Sequence, residues 1–66
     1  MLPNYLYNLM LQLTQENKSL WRIKNEYLKD AAECGDECTA FWMALAAEKE
    51  KHVNDLTALV KKNLNK

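Results

Sequence analysis

The fold is decided by the six residues Ala32-Glu-Cys-Gly-Asp-Glu37, which contain the only glycine of the 66-residue chain. Glycine adopts a positive φ angle without steric cost, so Gly35 suits the position directly after the end of a helix. Asp36 is a favourable N-cap for a following helix, and Glu37 in its first turn complements the helix dipole. The sequence therefore predicts a turn over about 34–36 between two helices.

Apolar residues with helical spacing extend from this turn in both directions. The only proline, Pro3, is followed by Asn4 as a suitable N-cap, which predicts a first helix over about 4–33. The second helix is predicted over about 37–63, and no stretch alternates long enough to predict a strand. A short connection makes adjacent helices antiparallel, so we expect one all-α domain, 1–66, folded as a two-helix hairpin.

The first helix begins with an uncharged segment, because no charged residue occurs from Met1 to Gln15. Its apolar and aromatic residues are Leu2, Tyr5, Leu6, Tyr7, Leu9, Met10, Leu11 and Leu13. They cover more of the helix circumference than one neighbouring helix can hide, and Trp21 and Trp42 add to the excess. We therefore expect a homo-oligomer, at least a dimer that forms a four-helix bundle. A weaker alternative places the segment on a membrane surface.

The charge balance argues against several classes of partner. Nine basic and nine acidic side chains cancel, whereas nucleic-acid binding requires positive charge, so no nucleic-acid partner is expected. No apolar run is long enough for a transmembrane segment, and the uncharged start lacks the basic region of a signal peptide. The sequence predicts a cytoplasmic protein. Cys34 and Cys38 are expected to be reduced thiols in that compartment, with a strained local disulfide as the alternative.

Polar residues interrupt the apolar stripe of each helix. On the second helix, His52, the only histidine, shares a face with Phe41, Leu45, Leu56 and Leu59, and Glu48 lies one turn before it. On the first helix, Glu16 interrupts the stripe of Leu9, Leu13, Leu20, Ile23 and Tyr27. Antiparallel pairing brings Glu16 to the height of His52. Buried charge is costly unless it is paired or metal-bound, so Glu16, Glu48 and His52 are candidate metal ligands. Two copies of the chain would supply four carboxylates and two imidazoles, a ligand set that suits iron or manganese.

The second helix resembles a known family. The segment Cys38-Thr-Ala-Phe-Trp-Met-Ala-Leu-Ala-Ala-Glu-Lys-Glu-Lys-His52, preceded by Gly35-Asp36-Glu37 and followed by Leu56, is similar to the second helix of a rubrerythrin-type half-domain of the ferritin-like superfamily. The resemblance implies a diiron centre completed by two hairpins, with Glu16 as the ligand of the first helix and His52 as the histidine of Glu-x-x-His. Where that motif has its Glu, this chain has Lys49, so Glu48 would have to reach across the face.

Lys49 leaves a second interpretation open. Its ammonium group would repel iron and could pair with Glu16 in place of a metal. Glu16 and His52 would then form a polar pair that fixes helix register, Glu48 would be a solvated surface residue, and the chain would be a metal-free structural or protein-interaction module. The sequence contains no nucleophile–base pair or phosphate-binding loop, so it predicts no reaction of its own, and any redox chemistry would belong to the metal.

Overall fold

The computed structural model describes residues 2–65, and these residues form helices and no strand. The first helical run consists of α1 (Asn4–Arg22), a π-helical segment (Ile23–Tyr27) and α2 (Leu28–Ala31), which follow one another without a break. After a short connection comes α3 (Asp36–Leu64). The predicted all-α class with two long helical runs is confirmed. Among these residues, none of the helices is both long and apolar enough to cross a membrane.

The first helix begins at Asn4, one residue earlier than expected if Asn4 were its N-cap. Pro3 is extended, with φ −60° and ψ 149°, and its carbonyl accepts hydrogen bonds from the N–H groups of Leu6 and Tyr7 at 3.1 and 3.0 Å. Pro3 is therefore the N-cap and Asn4 the first helical residue, so the prediction of Asn4 as N-cap is wrong. Proline can occupy this position because a cap needs a free carbonyl and not a free N–H group.

Gly35 serves both helical runs. Its N–H donates to the carbonyl of Ala31 at 3.1 Å, which ends the first run, and its own carbonyl accepts from the N–H of Thr39 at 3.1 Å, which begins α3. Its φ of 116° confirms the expected positive value. Gly35 is thus the N-cap of α3, and Asp36 is its first helical residue instead of the expected cap. The connection covers residues 32–35, one to two residues earlier than predicted.

The π-helical segment is a feature that the spacing of apolar residues did not predict. The N–H of Leu28 donates to the carbonyl of Ile23, five residues back, where an α-helix would use a carbonyl four residues back. Each extra residue turns the following side chains by about 100° around the helix. The segment also carries Lys24, whose Nζ lies 2.6 Å from an oxygen of Glu50 on α3.

The two helical runs contact each other in opposite chain order. Glu16 of α1 contacts Lys49 and His52, whereas Tyr27, farther along the first run, packs its ring 4.9 Å from that of the earlier Trp42. The molecule is elongated, with extents of 47 × 17 × 13 Å. Its buried apolar core is small and consists of Leu6, Ile23, Ala31, Ala46 and Val60.

One flank of α3 remains exposed although the sequence places it inside. Phe41 is 59% exposed and Leu59 45% exposed, while Val60 is buried. At 100° per residue, Val60 lies within about 20° of Lys49, and Phe41 and Leu59 lie about 80° away, on the side of His52. The buried face of α3 is therefore centred on Lys49. The prediction that the face of His52, Phe41 and Leu59 is the buried one is wrong. Spacing alone defines a broad apolar arc and does not show which part of it the neighbouring helix covers.

Candidate functional site

Glu16 is the buried charged residue of the described chain, with its side chain only 9% exposed. It lies on α1 among apolar neighbours in sequence, so its helix position and not its own polarity brings it inside. A carboxylate removed from water requires hydrogen-bond donors or cations to offset the lost hydration. Two side chains of α3 supply them.

The first partner of Glu16 is Lys49. Its Nζ donates to Oε2 of Glu16 at 2.7 Å, and its side chain is 23% exposed. The expectation that this ammonium pairs with Glu16 is confirmed. The hydrogen bond from Lys49 is the largest effect on Glu16 and lowers the pKa of its carboxyl group, burial opposes that effect, and the contact with His52 lowers the pKa further. Glu16 is therefore ionised at neutral pH.

The second partner is His52, whose Nδ1 lies 2.9 Å from Oε1 of Glu16. An ionised carboxylate can only accept hydrogen bonds, so Nδ1 carries the proton that it donates. The other ring nitrogen, Nε2, makes no hydrogen bond within residues 2–65, and the side chain is 52% exposed. His52 thus lies at the edge of the helix pair, with one nitrogen fixed by Glu16 and the other open.

The third candidate ligand, Glu48, lies apart from this cluster. It is exposed, and within the described part of the chain it forms neither a hydrogen bond nor an ion pair. The same residues contain no group of three or more His, Cys, Asp or Glu side chains placed to hold a metal. One copy of the chain brings Glu16 and His52 together and leaves Glu48 outside, so a single subunit does not form the ligand set that the family resemblance implies.

Cys34 and Cys38 form a disulfide across the connection. Their Cα atoms are 5.8 Å apart, within the usual range for a disulfide, because Gly35 turns the chain between them. The expectation of two reduced thiols is wrong for this structure, and the alternative of a local disulfide holds. The spacing of the two cysteines could not distinguish reduced thiols from a disulfide, because the distance between them depends on the conformation of Gly35.

Sequence reasoning located Glu16, Lys49 and His52 but missed the ion pair of Lys24 with Glu50. That pair lies beside the π-helical segment, and no residue type marks such a segment in advance. The whole cluster combines a carboxylate with an ammonium group and an imidazole N–H donor, which suits helix alignment better than acid–base chemistry. No family model, curated protein or solved structure matches this chain.

Proposed function

We propose that the chain is a metal-free protein-interaction module, an antiparallel two-helix hairpin that pairs with a second copy to form a four-helix bundle. The observation that carries this proposal is the 2.7 Å contact of Lys49 Nζ with Glu16 Oε2. An ammonium group neutralises the buried carboxylate at the position where the family resemblance would place a metal ligand. With that charge paired, the cluster needs no metal to be stable and fixes the relative position of the two helices.

The accessible surface supports a second copy as the partner. The chain exposes 5163 Å², whereas a compact monomer of its mass is expected to expose about 4,300 Å². The excess of roughly 800 Å² comes with the elongated shape, and it is similar in size to the area that each partner buries in a standard interface. Equal numbers of acidic and basic residues mean that net charge does not oppose self-association.

The exposed flank of α3 offers a surface for this pairing. Phe41, Leu45, His52 and Leu59 follow one another at intervals of four and seven residues, which is the spacing of a helix–helix seam. Phe41 and Leu59 are largely exposed in one copy. A second copy packed on this seam would bury both side chains and would also cover the open edge of the Glu16 cluster at His52.

A second candidate function is binding of iron or manganese between two subunits, as the ferritin-like resemblance implies. The observation that favours it is the hydrogen bond from His52 Nδ1 to Glu16, because metal-binding histidines commonly donate their other nitrogen to a carboxylate. Glu48 lies on the flank of α3 that carries His52, so pairing across the seam would bring both residues of two copies together. In that arrangement Glu16 would orient the imidazole of His52. For Glu16 to be a ligand as well, the metal would have to displace both Lys49 and His52 from its carboxylate.

Elemental analysis separates the two candidates. The protein is purified without added metal, and iron and manganese are measured per chain. The metal-free module predicts far less than one metal per dimer, and melting temperatures that added Mn²⁺ or Fe²⁺ does not raise. About one or more tightly bound metals per dimer, with stabilisation on metal addition, would support the second candidate. The proposed cytoplasmic location is tested separately by cell fractionation.

A further inference from the structure

The Cys34–Cys38 disulfide lies at an exposed end of the molecule, far from the Glu16 cluster in sequence. Cys34 is exposed, and a Cβ atom placed at Gly35 would meet no atom within 4 Å apart from its chain neighbours, so the space at the glycine between the two cysteines is open. A thiolate in solution can therefore approach Cys34 more readily than the partly buried Cys38.

The disulfide is surrounded by unpaired negative charge. Asp30, Glu33, Asp36 and Glu37 are all exposed, and none of them forms an ion pair among residues 2–65. The chain contains no lysine or arginine from residue 30 to residue 48. Four carboxylates within eight residues therefore produce a local field that attracts cations and repels anions.

We propose that Cys34–Cys38 is a redox-active disulfide that exchanges with thiols of neutral or positively charged partners and discriminates against anionic thiols. This inference does not depend on the proposed dimer or on metal binding. Open access allows the exchange, and the acidic surroundings select the partner. Disulfides that occur in reducing compartments are typically catalytic or sensing, and such a role fits the predicted cytoplasmic location.

The reaction is a two-electron thiol–disulfide exchange. A thiolate of a dithiol reductant attacks the sulfur of Cys34, the Cys34–Cys38 bond breaks, and the sulfur of Cys38 leaves as a thiolate and takes up a proton. The second thiol of the reductant loses its proton and attacks the mixed disulfide. Cys34 then leaves as a thiolate and is protonated in turn. The protein gains two electrons and two protons, and the reductant becomes a disulfide.

Position determines which sulfur is attacked. Cys34 is exposed, whereas Cys38 is partly buried in the first turn of α3. The N-terminus of α3 has no side-chain cap, so its unpaired N–H groups are available to a thiolate leaving on Cys38 and oppose the repulsion from the neighbouring carboxylates. With a monothiol in excess, the trapped mixed disulfide should be found on Cys34. A trapped adduct mainly on Cys38 would overturn this assignment.

Three small thiols of different charge test the selectivity on the intact protein. Cysteamine is cationic, 2-mercaptoethanol is neutral and 2-mercaptoethanesulfonate is anionic. The rate at which each thiol reduces hydroxyethyl disulfide, an uncharged reference, gives its intrinsic reactivity. After correction for thiolate concentration, cysteamine should react about tenfold faster than the sulfonate at low ionic strength. At about 1 M salt, where the Debye length is only ~3 Å, the ratio of the cysteamine rate to the sulfonate rate should approach the ratio measured with hydroxyethyl disulfide.

A matched pair of variants locates the source of the selectivity. Asp36→Asn with Glu37→Gln removes two charges beside the disulfide and should reduce the ratio at least severalfold. Glu50→Gln with Asp55→Asn removes the same number of charges from α3 at a distance and should leave the ratio unchanged. Equal rates for the three thiols at low salt would overturn the partner selectivity. Rates far below those of the reference disulfide, or thiols that stay reduced under an excess of uncharged hydroxyethyl disulfide, would overturn the redox role itself.

Discussion

Glu16 is ionised inside the helix pair because two donors of α3 offset its burial. Lys49 contributes a full charge at 2.7 Å, and His52 contributes a hydrogen bond at 2.9 Å. The pairing with Lys49 could be predicted because Lys49 stands where the resembled Glu-x-x-His motif has the Glu that would face Glu16. The half-exposed position of His52 could not be, since it depends on where the neighbouring helix lies across a broad apolar arc.

The lowered pKa of Glu16 predicts a loss of stability in acid. A carboxyl group with a lower pKa in the folded state stabilises the fold above its unfolded pKa of about 4.3, and this contribution is lost as pH falls through the folded value. Glu16→Gln should therefore flatten the decline of unfolding free energy between about pH 5 and the folded pKa. At pH 7 the variant should lose about 1–3 kcal/mol.

Urea unfolding at a series of pH values measures this dependence. Glu48→Gln is the matched control, because Glu48 is exposed and makes no ion pair within the described residues. Its unfolding free energy should decline in acid as steeply as that of the parent. An equally steep decline in Glu16→Gln and the parent would show that Glu16 does not cause the loss of stability in acid.

Lys49→Glu reverses the charge beside Glu16 and restores the Glu-x-x-His spacing on α3. The variant should be less stable than the parent without metal, because it places two carboxylates together in a largely buried site. It should regain stability on addition of Mn²⁺ or Fe²⁺ by mass action, and the parent should gain less. Thermal melts with and without metal measure both effects.

Lys51→Glu is the control for this change, since Lys51 is exposed and, among residues 2–65, forms an ion pair with Asp55 alone. Its stability should not respond to metal. If Lys49→Glu melts like the parent and ignores metal, the contact of Lys49 with Glu16 has no energetic role.

At the scale of the elements, the sequence located both long helices but not the details of their ends. Pro3 and Gly35 act as caps where Asn4 and Asp36 were expected, because a backbone carbonyl satisfies the first helical N–H groups without a side chain. The π-helical segment Ile23–Tyr27 had no sequence signal at all. Its residue types suit an α-helix equally well, and the choice depends on packing against α3.

Gly35 has φ 116° and ψ −172°, a region that is almost closed to other L-residues. Gly35→Ala should therefore lower the unfolding free energy by about 1–3 kcal/mol, although a methyl group there meets no atom within 4 Å. D-alanine at the same position has the mirror-image preference and fits without strain. A chemically synthesised chain with D-alanine should be at least as stable as the parent.

Chemical denaturation of the three chains tests this assignment. Equal destabilisation by both enantiomers would indicate a steric conflict and would contradict the conformational explanation. Unchanged stability with L-alanine would show that the connection does not hold Gly35 in its left-handed conformation.

At the scale of the whole molecule, exposed large apolar side chains are in excess of the buried ones. The excess could be predicted from the uncharged segment that ends at Gln15, which has more apolar residues than one helix can cover. The surface of α3 proposed for pairing could not be predicted, because Phe41 and Leu59 have the spacing of core residues in the sequence. Their exposure appears only once Glu16, Lys49 and Val60 fix how the helices face each other.

Two substitutions on α3 test the proposed seam. Phe41 and Met43 are each 59% exposed, but Met43 lies about 160° from Phe41 around the helix. Phe41→Ser should weaken dimerisation at least tenfold, because it removes a large apolar side chain from the interface. Met43→Ser should leave the dissociation constant nearly unchanged. Equal effects of the two substitutions would place the contact elsewhere.

Sedimentation equilibrium of the protein in the presence of a metal chelator tests the central claim most directly, since it asks whether a dimer forms and whether it needs metal. At micromolar concentration the metal-free module predicts a species of twice the 7.7 kDa chain mass, unchanged when Mn²⁺ or Fe²⁺ replaces the chelator. A monomer of 7.7 kDa under both conditions would contradict the four-helix bundle. A monomer that becomes a dimer only with metal would contradict the metal-free account and establish the inter-subunit metal site.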